Sequence, residues 1–579
     1  MTKKHTYGQI LKSSALIGSS SLLNIAIGIV RTKAMAMLLG PSGIGLMGLY
    51  GSITELTINI AGMGINSSGV RQIAEAVGSD DTEKIARTTV VLRRISIFLG
   101  ALGAVLLVIF AGPVSALTFG NDQHASAVML LSIAVFFNLV SSGQGALIQG
   151  MRRLSDMAKM GILGTLLGAL ISIIVIYFLR EDGVALSLVL IAAMSILTSW
   201  WYSRKIQIQT LSISAAQVRQ EAAGLLKLGF AFMAGGLLMS GAAYAVRLIV
   251  VRKVGFDAAG LYQSAWALGG LYIGFILQSM GADFYPRLTA IANDNVECNR
   301  VVNEQAHVSM LLAGPGVIAT LAFAPLVIAF FYTPKFEGAV EILRWLCLGM
   351  TLRVISWPLG FIIVAKNVQN LLIFSELAWT VVYLGLAWAC IDFFGLKGAG
   401  IAFFGSYVFH VLMIYVFTRR LSGFLWSSAN LQTSFLYLAL IGVVFGSYYA
   451  LPSLLAIGVG VLAIFLSGIY SIQVLLNLVS LDKIPRPALK LLQWFYLAPS
   501  NCNEPDNPEP VCETALNGSI VKNKSFADAR WLICAFMACT LFSMWIHWYE
   551  RVYGWSTGLD VFESELKTVL SIFRSNVLY

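Results

Sequence analysis

Residues 13–63 read SSALIGSSSLLNIAIGIVRTKAMAMLLGPSGIGLMGLYGSITELTINIAGM. The stretch is apolar on both sides of a Gly40-Pro41-Ser42-Gly43 turn. Each arm has roughly the 20 residues that a helix needs to cross a hydrocarbon core of about 30 Å. It predicts two membrane helices joined by a tight turn. Outward from it, comparable runs recur along the chain and predict fourteen spans: 13–39, 43–63, 95–118, 125–149, 159–179, 184–202, 225–251, 260–281, 308–332, 340–365, 371–394, 398–417, 433–450 and 453–479. A soluble α/β protein would need apolar runs of only about 4–8 residues for its buried strands. Of the 579 residues, 58% are hydrophobic and 12% charged, against about 25% charged in soluble domains. The fold class predicted is all-α integral membrane.

The loop charges give this count an orientation. One set of loops carries Lys3, Lys4, Lys12, Arg71, Lys84, Arg87, Arg152, Arg153, Arg204, Lys205, Arg419, Arg420, Lys483, Arg486, Lys490 and others, about 23 basic residues in all. The alternate loops carry Arg180, Arg252, Lys253, Lys335 and Lys397, about 5. Positive loops stay on the cytoplasmic side, so the N-terminus is expected there. Lys3, Lys4 and Lys12 ahead of an apolar run look like a signal peptide, but no small-residue cleavage site follows, and the run is expected to be the retained first helix. The net charge of +10 is thereby assigned to topology. No basic stripe with interleaved aromatics lies outside the spans, which excludes nucleic acid as a partner. The seven cysteines form no CxxC pair and the five histidines show no metal-ligand spacing, so no metal or cofactor is expected.

The chain also repeats itself at an offset of about 215 residues. Lys12 answers Lys227, and Arg31 answers Arg247. Gly40-Pro41-Ser42-Gly43-Ile44-Gly45-Leu46 answers Gly255-Phe256-Asp257-Ala258-Ala259-Gly260-Leu261. Phe110-Ala111-Gly112-Pro113 answers Phe323-Ala324-Pro325, Arg152 answers Lys366, and Gly183-Val184-Ala185 answers Gly398-Ala399-Gly400. The unit holds six helices, so both copies enter the membrane in the same sense. Such a parallel repeat has its axis along the membrane normal and its site between the halves near the midplane. The organisation predicted is a six-helix lobe at 1–210, a second at 211–425, two additional helices within 426–490, and a linker with an appended tail at 491–579.

Three of these features occur together: Arg31 followed by Leu38-Leu39-Gly40-Pro41-Ser42-Gly43-Ile44-Gly45-Leu46, then Gly62-Met63-Gly64 with Arg71, and the glycine-led openings of the sixth and twelfth helices. They resemble the polysaccharide-flippase branch of the multidrug/oligosaccharidyl-lipid/polysaccharide exporter superfamily, especially O-antigen translocases, over about residues 8–480. The resemblance implies a two-lobed helical fold in a bacterial inner membrane, working by alternating access. It implies a lipid-linked oligosaccharide as substrate, with membrane lipids and a polysaccharide polymerase machinery as partners.

Ionisable residues inside spans are costly and are functional candidates by default. They are Arg31, Lys33, Glu55, Arg247, Asp283, Arg344, Arg353 and Glu376. Most are basic, and an undecaprenyl-pyrophosphate carrier is anionic, so a cationic cavity is expected, with arginine suited to phosphate. Arg353, near mid-helix, is the leading substrate-binding candidate, followed by Arg31, Arg247, Lys33 and Arg344. The plainer alternative for the last four is snorkelling to the interface. Asp283 is expected to be solvated. Glu55, with Asn59 one turn later, and Glu376 are candidates for coupling or ion pairing; Glu55 either pairs with Arg31 or Arg353 or carries a coupling proton. Asn24 and Gln278 are weaker polar candidates, with helix–helix hydrogen bonding as the alternative.

Beyond Lys490 the composition changes. Residues 499–513 are acidic and proline-rich, a disordered linker by composition; Cys502 and Cys512 within it are expected to be free thiols, the alternative being a disulfide between them. Trp531 to Trp548 is a candidate fifteenth span. Arg530-Trp531, Trp548-Tyr549-Glu550-Arg551-Val552-Tyr553-Gly554-Trp555-Ser556 and Gly558-Leu559-Asp560 resemble the N-terminal part of the C-type polypeptide of particulate methane/ammonia monooxygenases. That family's metal ligands lie beyond the matched positions, so no metal site carries over, and a fused fragment is the plain explanation. Three alternatives to a flippase remain. A drug or cation exporter, or a peptidoglycan-lipid flippase, of the same superfamily is the first, but the first helix has no acidic residue between Ser13 and Leu39 to serve cation export. A polymerase or transferase is the second, but the predicted outer loops are short and hold no paired carboxylates or nucleophile, so no enzyme is expected. A component of a monooxygenase complex is the third.

Overall fold

A chain in hydrocarbon must satisfy every backbone N–H and C=O within itself, and consecutive helices do so. The computed structural model describes residues 3–78, 81–207 and 215–478, and all regular structure among them is helical. The first lobe comprises α1 (Lys3–Gly62), α2 (Ile65–Gly78), α3 (Thr82–Ile109), α4 (Ala111–Phe119), α5 (Ala125–Gly150), α6 (Leu154–Leu179) and α7 (Gly183–Ser203). The second comprises α8 (Ala215–Val254), α9 (Phe256–Ala290), α10 (Asn295–Ala322), α11 (Ala324–Phe331), α12 (Ala339–Ala365), α13 (Gln369–Phe394) and α14 (Gly398–Ser422); α15 (Ser428–Ala450) and α16 (Ser453–Leu478) follow. The described residues within 1–450 and 459–468 form one compact unit. In the other, residues 451–458 and 469–478 are described.

Each of the fourteen apolar stretches lies on a helix. Among the described residues, nine helical segments are long and apolar enough to cross a membrane, or up to ten if the bent α8 is one span. Several of these segments, such as Leu154–Ser203 (50 residues) and Gln369–Ser422 (54 residues), hold two of the expected spans. Three details depart from the expectation. The third and ninth spans are each broken near their ends, at Phe110 (φ −94°, ψ 11°) and Phe323 (φ −100°, ψ 22°). Pro325, in the first turn of α11, has no N–H to continue the helix before it. The third departure is α2, which occupies what the sequence suggested was loop. It is 14 residues long, burying Ile65, Ile73 and Ala76 and exposing Asn66, Arg71 and Glu75. An amphipathic helix of that length has no long apolar run to announce it. Lys483, Arg486, Lys490, Cys502, Cys512, the linker and the candidate fifteenth span fall outside the described residues, as do the side chains of Gln278 and Asp283.

The backbone repeats what the sequence repeats. Gly40 breaks α1 at φ 68°, ψ −168°, and Gly255 separates α8 from α9 at φ 114°, ψ 179°. Both are conformations that glycine tolerates and other residues do not. Arg180 (φ 53°, ψ −131°) and Gly395 (φ 63°, ψ −147°) end α6 and α13, each leading into one 3₁₀ turn and then α7 or α14. Arg152 (φ 55°) answers Asn367 (φ 56°), one residue beyond the Lys366 that sequence matching paired with it. Asp81 and Asp294 cap α3 and α10 with side-chain oxygens on backbone N–H groups. Packing repeats too. α5 lies between α3 and α7 as α12 lies between α10 and α14, while α6 packs on α7 and α1 as α13 packs on α14 and α8. Equivalent positions Leu147-Ile148 and Ile362-Ile363 sit in the buried cores of their respective lobes. α15 is docked on this body by polar groups at one end: Asn430 donates to the Asn303 carbonyl at 2.8 Å, and Asn303 Oδ1 accepts from Ser427 N–H at 2.8 Å.

Candidate functional site

A cavity of about 380 Å³ opens among α1, α8, α9, α12, α13 and α14. Four of the eight span charges line it: Arg353, Arg247, Glu55 and Glu376. The wall is therefore mixed in charge, where a cationic one was expected. Arg353 projects from α12, and its guanidinium makes no hydrogen bond or ion pair among the described residues. It lies within electrostatic reach of Glu376, Tyr407 and His410. Glu55 is exposed to the cavity and ion-paired with neither Arg31 nor Arg353. Arg247 donates through Nε to Gln263 Oε1 at 2.8 Å and through a terminal nitrogen to Ser52 Oγ at 2.6 Å. Both acceptors are neutral, so its charge stays uncompensated. His410, absent from the sequence candidates, lines the same cavity, with Nδ1 3.2 Å from Ser356 Oγ. Its signal was available: it is an ionisable residue inside an apolar helix, overlooked because histidine was weighed only as a metal ligand.

The remaining candidates sit elsewhere. Lys33 donates to the carbonyls of Ala329, at 2.7 Å, and Tyr332, at the end of α11. Arg344 is buried between Glu341, at 3.0 Å, and the ring of Tyr448, 3.8 Å from its centroid, bracing α12 against α15. Arg31 is outside the cavity lining, with a buried Nε that has no hydrogen-bond partner. Asn59 donates to Ser240 Oγ at 3.0 Å, and the buried Asn24 Oδ1 has no hydrogen-bond partner. No cluster of three or more His, Cys, Asp or Glu that could hold a metal occurs among the described residues.

Contacts between the lobes surround the cavity. The second arm of α1 runs antiparallel along α8, from Ser52 on Arg247, through Asn59 on Ser240, to Gly64 against Gly229. At the end carrying the Gly40 and Gly255 turns, Gly45 meets Gly260, its own repeat equivalent. A Cβ on Gly260 would lie 1.8 Å from the Pro41 carbonyl, and one on Gly45 would lie 2.6 Å from the Phe256 carbonyl. No side chain fits on either helix there. Two cations flank this crossing. Lys33 of the first lobe caps the C-terminus of α11 in the second. Arg252 of the second caps the C-terminus of α4 in the first, donating to Ala116 O at 2.8 Å and Leu117 O at 2.5 Å. Helix C-termini carry partial negative charge, so each bond is charge-assisted. Phe119 stacks on His124 and Phe256, at 4.1 and 6.0 Å between centroids. Burial there lowers the pKa of the His124 imidazole from its ordinary value.

Comparison with known proteins matches this arrangement. A family model described as "Polysaccharide biosynthesis protein" covers residues 34–341. A second, for the C-type polypeptide of "Ammonia monooxygenase/methane monooxygenase", covers residues 513–578. The chain is 23% identical over 404 residues to the "Lipid III flippase" of Escherichia coli (strain K12), covering 69% of this chain and 95% of that one. The Shigella flexneri protein of the same name matches equally. Among solved structures, the fold is shared with "Lipid II flippase MurJ, inward closed conformation" at TM-score 0.59 and 13% identity, over 78% of this chain and 98% of that one. It is shared with the "Inward-facing conformation of a multidrug resistance MATE family transporter of the MOP superfamily" at TM-score 0.57 and 16% identity, over 71% and 98%. With two helical lobes, a mixed-charge cavity and a family match over more than half its length, the chain belongs to the polysaccharide biosynthesis protein family, on the all-α membrane fold of the MOP superfamily.

Proposed function

We propose that the protein flips an undecaprenyl-pyrophosphate-linked oligosaccharide, an O-antigen or related surface polysaccharide repeat unit, from the cytoplasmic to the periplasmic leaflet by alternating access. The observation that carries this is the unpartnered Arg353 in a cavity shared by both lobes, with Arg247 beside it bound only to neutral groups. A positive charge near mid-helix costs at least about 2.5–3.5 kcal/mol on insertion scales, and a transported pyrophosphate offsets that cost. The lipid III flippases that the chain resembles support a lipid-linked substrate. Lobes at 1–210 and 211–425 part and close at the Gly45–Gly260 crossing as access alternates, and the charge asymmetry of the loops supports a cytoplasmic N-terminus and a cytoplasmic Arg152. The test is surface polysaccharide in a cell lacking its own flippase. Arg353→Ala is expected to lose it at normal protein level in the membrane, and Arg353→Lys, without the bidentate fork, to keep part of it. Full polysaccharide with Arg353→Ala removes the assignment.

A second reading rests on Glu55 and Glu376, which give the same cavity two acidic side chains. These favour export of an organic cation. Cells expressing the protein would then resist cationic dyes, and Glu376→Gln would abolish that resistance without touching polysaccharide.

A further inference from the structure

The charged groups occupy only part of the cavity wall. Trp266 of α9 and Trp379 of α13 line one side, packed on the buried rings of Tyr383 of α13 and of Phe403 and Tyr407 of α14. Trp379 stacks on Tyr383 at 5.3 Å and 23°, and lies 5.7 Å from Tyr407; Tyr407 continues to Phe403 at 4.9 Å, and Phe403 to Trp266 at 5.2 Å. Trp357 and Phe361 of α12 also line the cavity, 4.6 Å from each other. Structural core rings bury their polar atoms in hydrogen bonds: Tyr262 and Tyr383 join hydroxyls at 3.1 Å behind the wall. Trp379 departs from this. Its Nε1 is shielded from solvent and has no hydrogen-bond partner, a donor left unmet at a cost.

Rings beside planar charged side chains are poor chemistry for a bare phosphate. They are good chemistry for a pyranose. The C–H face of the sugar lies on the ring, and its hydroxyls give hydrogen bonds to a carboxylate. The mixed charge of the wall fits as well, since Glu376 accepts from hydroxyls but would repel a phosphate. The volume suits one or two sugar rings, at the lower end of the roughly 300–1,000 Å³ range of small-molecule sites. We infer that this aromatic wall is a saccharide subsite, in which Trp379 is the platform for the first sugar rings and Glu376 accepts from their hydroxyls, with Arg353 and Arg247 turned to the adjoining pyrophosphate. The inference rests on the flippase reading and adds where the sugar sits.

The test uses the full-length protein in nanodiscs with two soluble probes, farnesyl pyrophosphate and farnesyl-pyrophosphoryl-N-acetylglucosamine, titrated by calorimetry. Wild type is expected to prefer the sugar-bearing probe by about tenfold or more. Trp379→Ala should erase that preference and leave farnesyl pyrophosphate unchanged. Trp379→Phe keeps an aromatic ring but a smaller one. It should cost about three- to tenfold on the sugar-bearing probe alone, by shrinking the platform, and it answers the question even where the alanine variant fails to fold. Arg353→Ala should weaken both probes together. Equal wild-type affinity for the two probes, or an undiminished sugar preference in folded Trp379→Phe, would overturn the subsite. If Arg353→Ala left both affinities unchanged while the sugar preference persisted, the pyrophosphate assignment would fail and the saccharide subsite would stand. Absence of binding by either probe would sink both.

Discussion

Arg180 holds a backbone conformation, φ 53° and ψ −131°, that the second lobe assigns to Gly395. Its side chain donates to the Leu38 carbonyl at 3.2 Å, so the residue trades strain for one exposed bond. Non-glycine residues in such regions cost on the order of 1–3 kcal/mol. Arg180→Gly is therefore expected to match or exceed wild-type thermal stability, whereas Arg180→Ala, which keeps the strain and loses the bond, should fall below it. A melting series in detergent decides this; equal melting temperatures for the two variants would show that no strain is held there. Single residues differ in what they disclose in sequence. Arg353, Arg247, Glu55 and Glu376 were legible because a charge stands out in an apolar run. The roles of Lys33 and Arg344 were not. The carbonyls that hold Lys33 lie nearly 300 residues away, and carbonyls carry no signature in sequence. Trp379 was invisible for a further reason: in a chain with 13 tryptophans, only the fold shows which indole N–H lacks a partner. For Arg353 the magnitude follows from the hydrogen bonds proposed between its guanidinium and the pyrophosphate. Charge-assisted bonds contribute roughly 1.5–3 kcal/mol each, so the alanine variant is expected to lose about ten- to hundredfold in substrate retention.

Helix by helix, the turns at Gly40 and Gly255 could be read from glycine and from the apolar arms on either side. The breaks at Phe110 and Phe323 were missed, since hydropathy continues across them unchanged, although Pro113 and Pro325 just beyond them mark the places. Those breaks matter, because they create α4 and α11, the short helices whose C-terminal carbonyls receive Arg252 and Lys33. Together with the Gly45–Gly260 crossing they hold one end of the lobes together. Arg252→Ala and Lys33→Ala are expected to loosen that end, each by on the order of 1 kcal/mol because the sites are only partly buried. Gly260→Leu should prevent its closure altogether, since even a Cβ has no room. The measurement is labelling of a single cysteine introduced at Gly48, a position beneath the crossing that packs on Gln263. Labelling should rise in the order wild type, single cation variants, double variant, Gly260→Leu. Unchanged labelling in Gly260→Leu would show that the crossing is not a gate.

Across the whole molecule, the positive-φ residues pair as Gly40 with Gly255, Arg152 with Asn367 and Arg180 with Gly395, the caps as Asp81 with Asp294, at nearly one offset, and that offset was visible in sequence because turn residues mark helix ends. The orientation is a separate matter of charge. An impermeant thiol reagent applied from outside is expected to label a cysteine at position 183 and not one at 152; the reverse pattern would invert the topology. The crossing and its two flanking bonds also have a historical meaning. A residue that touches its own equivalent, with each partner's cation on the other's matching helix, is the contact pattern of an isologous twofold dimer. Here the two protomers share one chain. A true homodimer must change both copies of a residue at once, whereas a fused one is released from that rule. The lysine in one bond and the arginine in the other, set one turn apart along their helices, record that release. The cavity records it more fully: Arg353, Glu376, Trp379 and His410 all come from the second half. Fusion kept the crossing symmetric and left the cavity free to become one-sided.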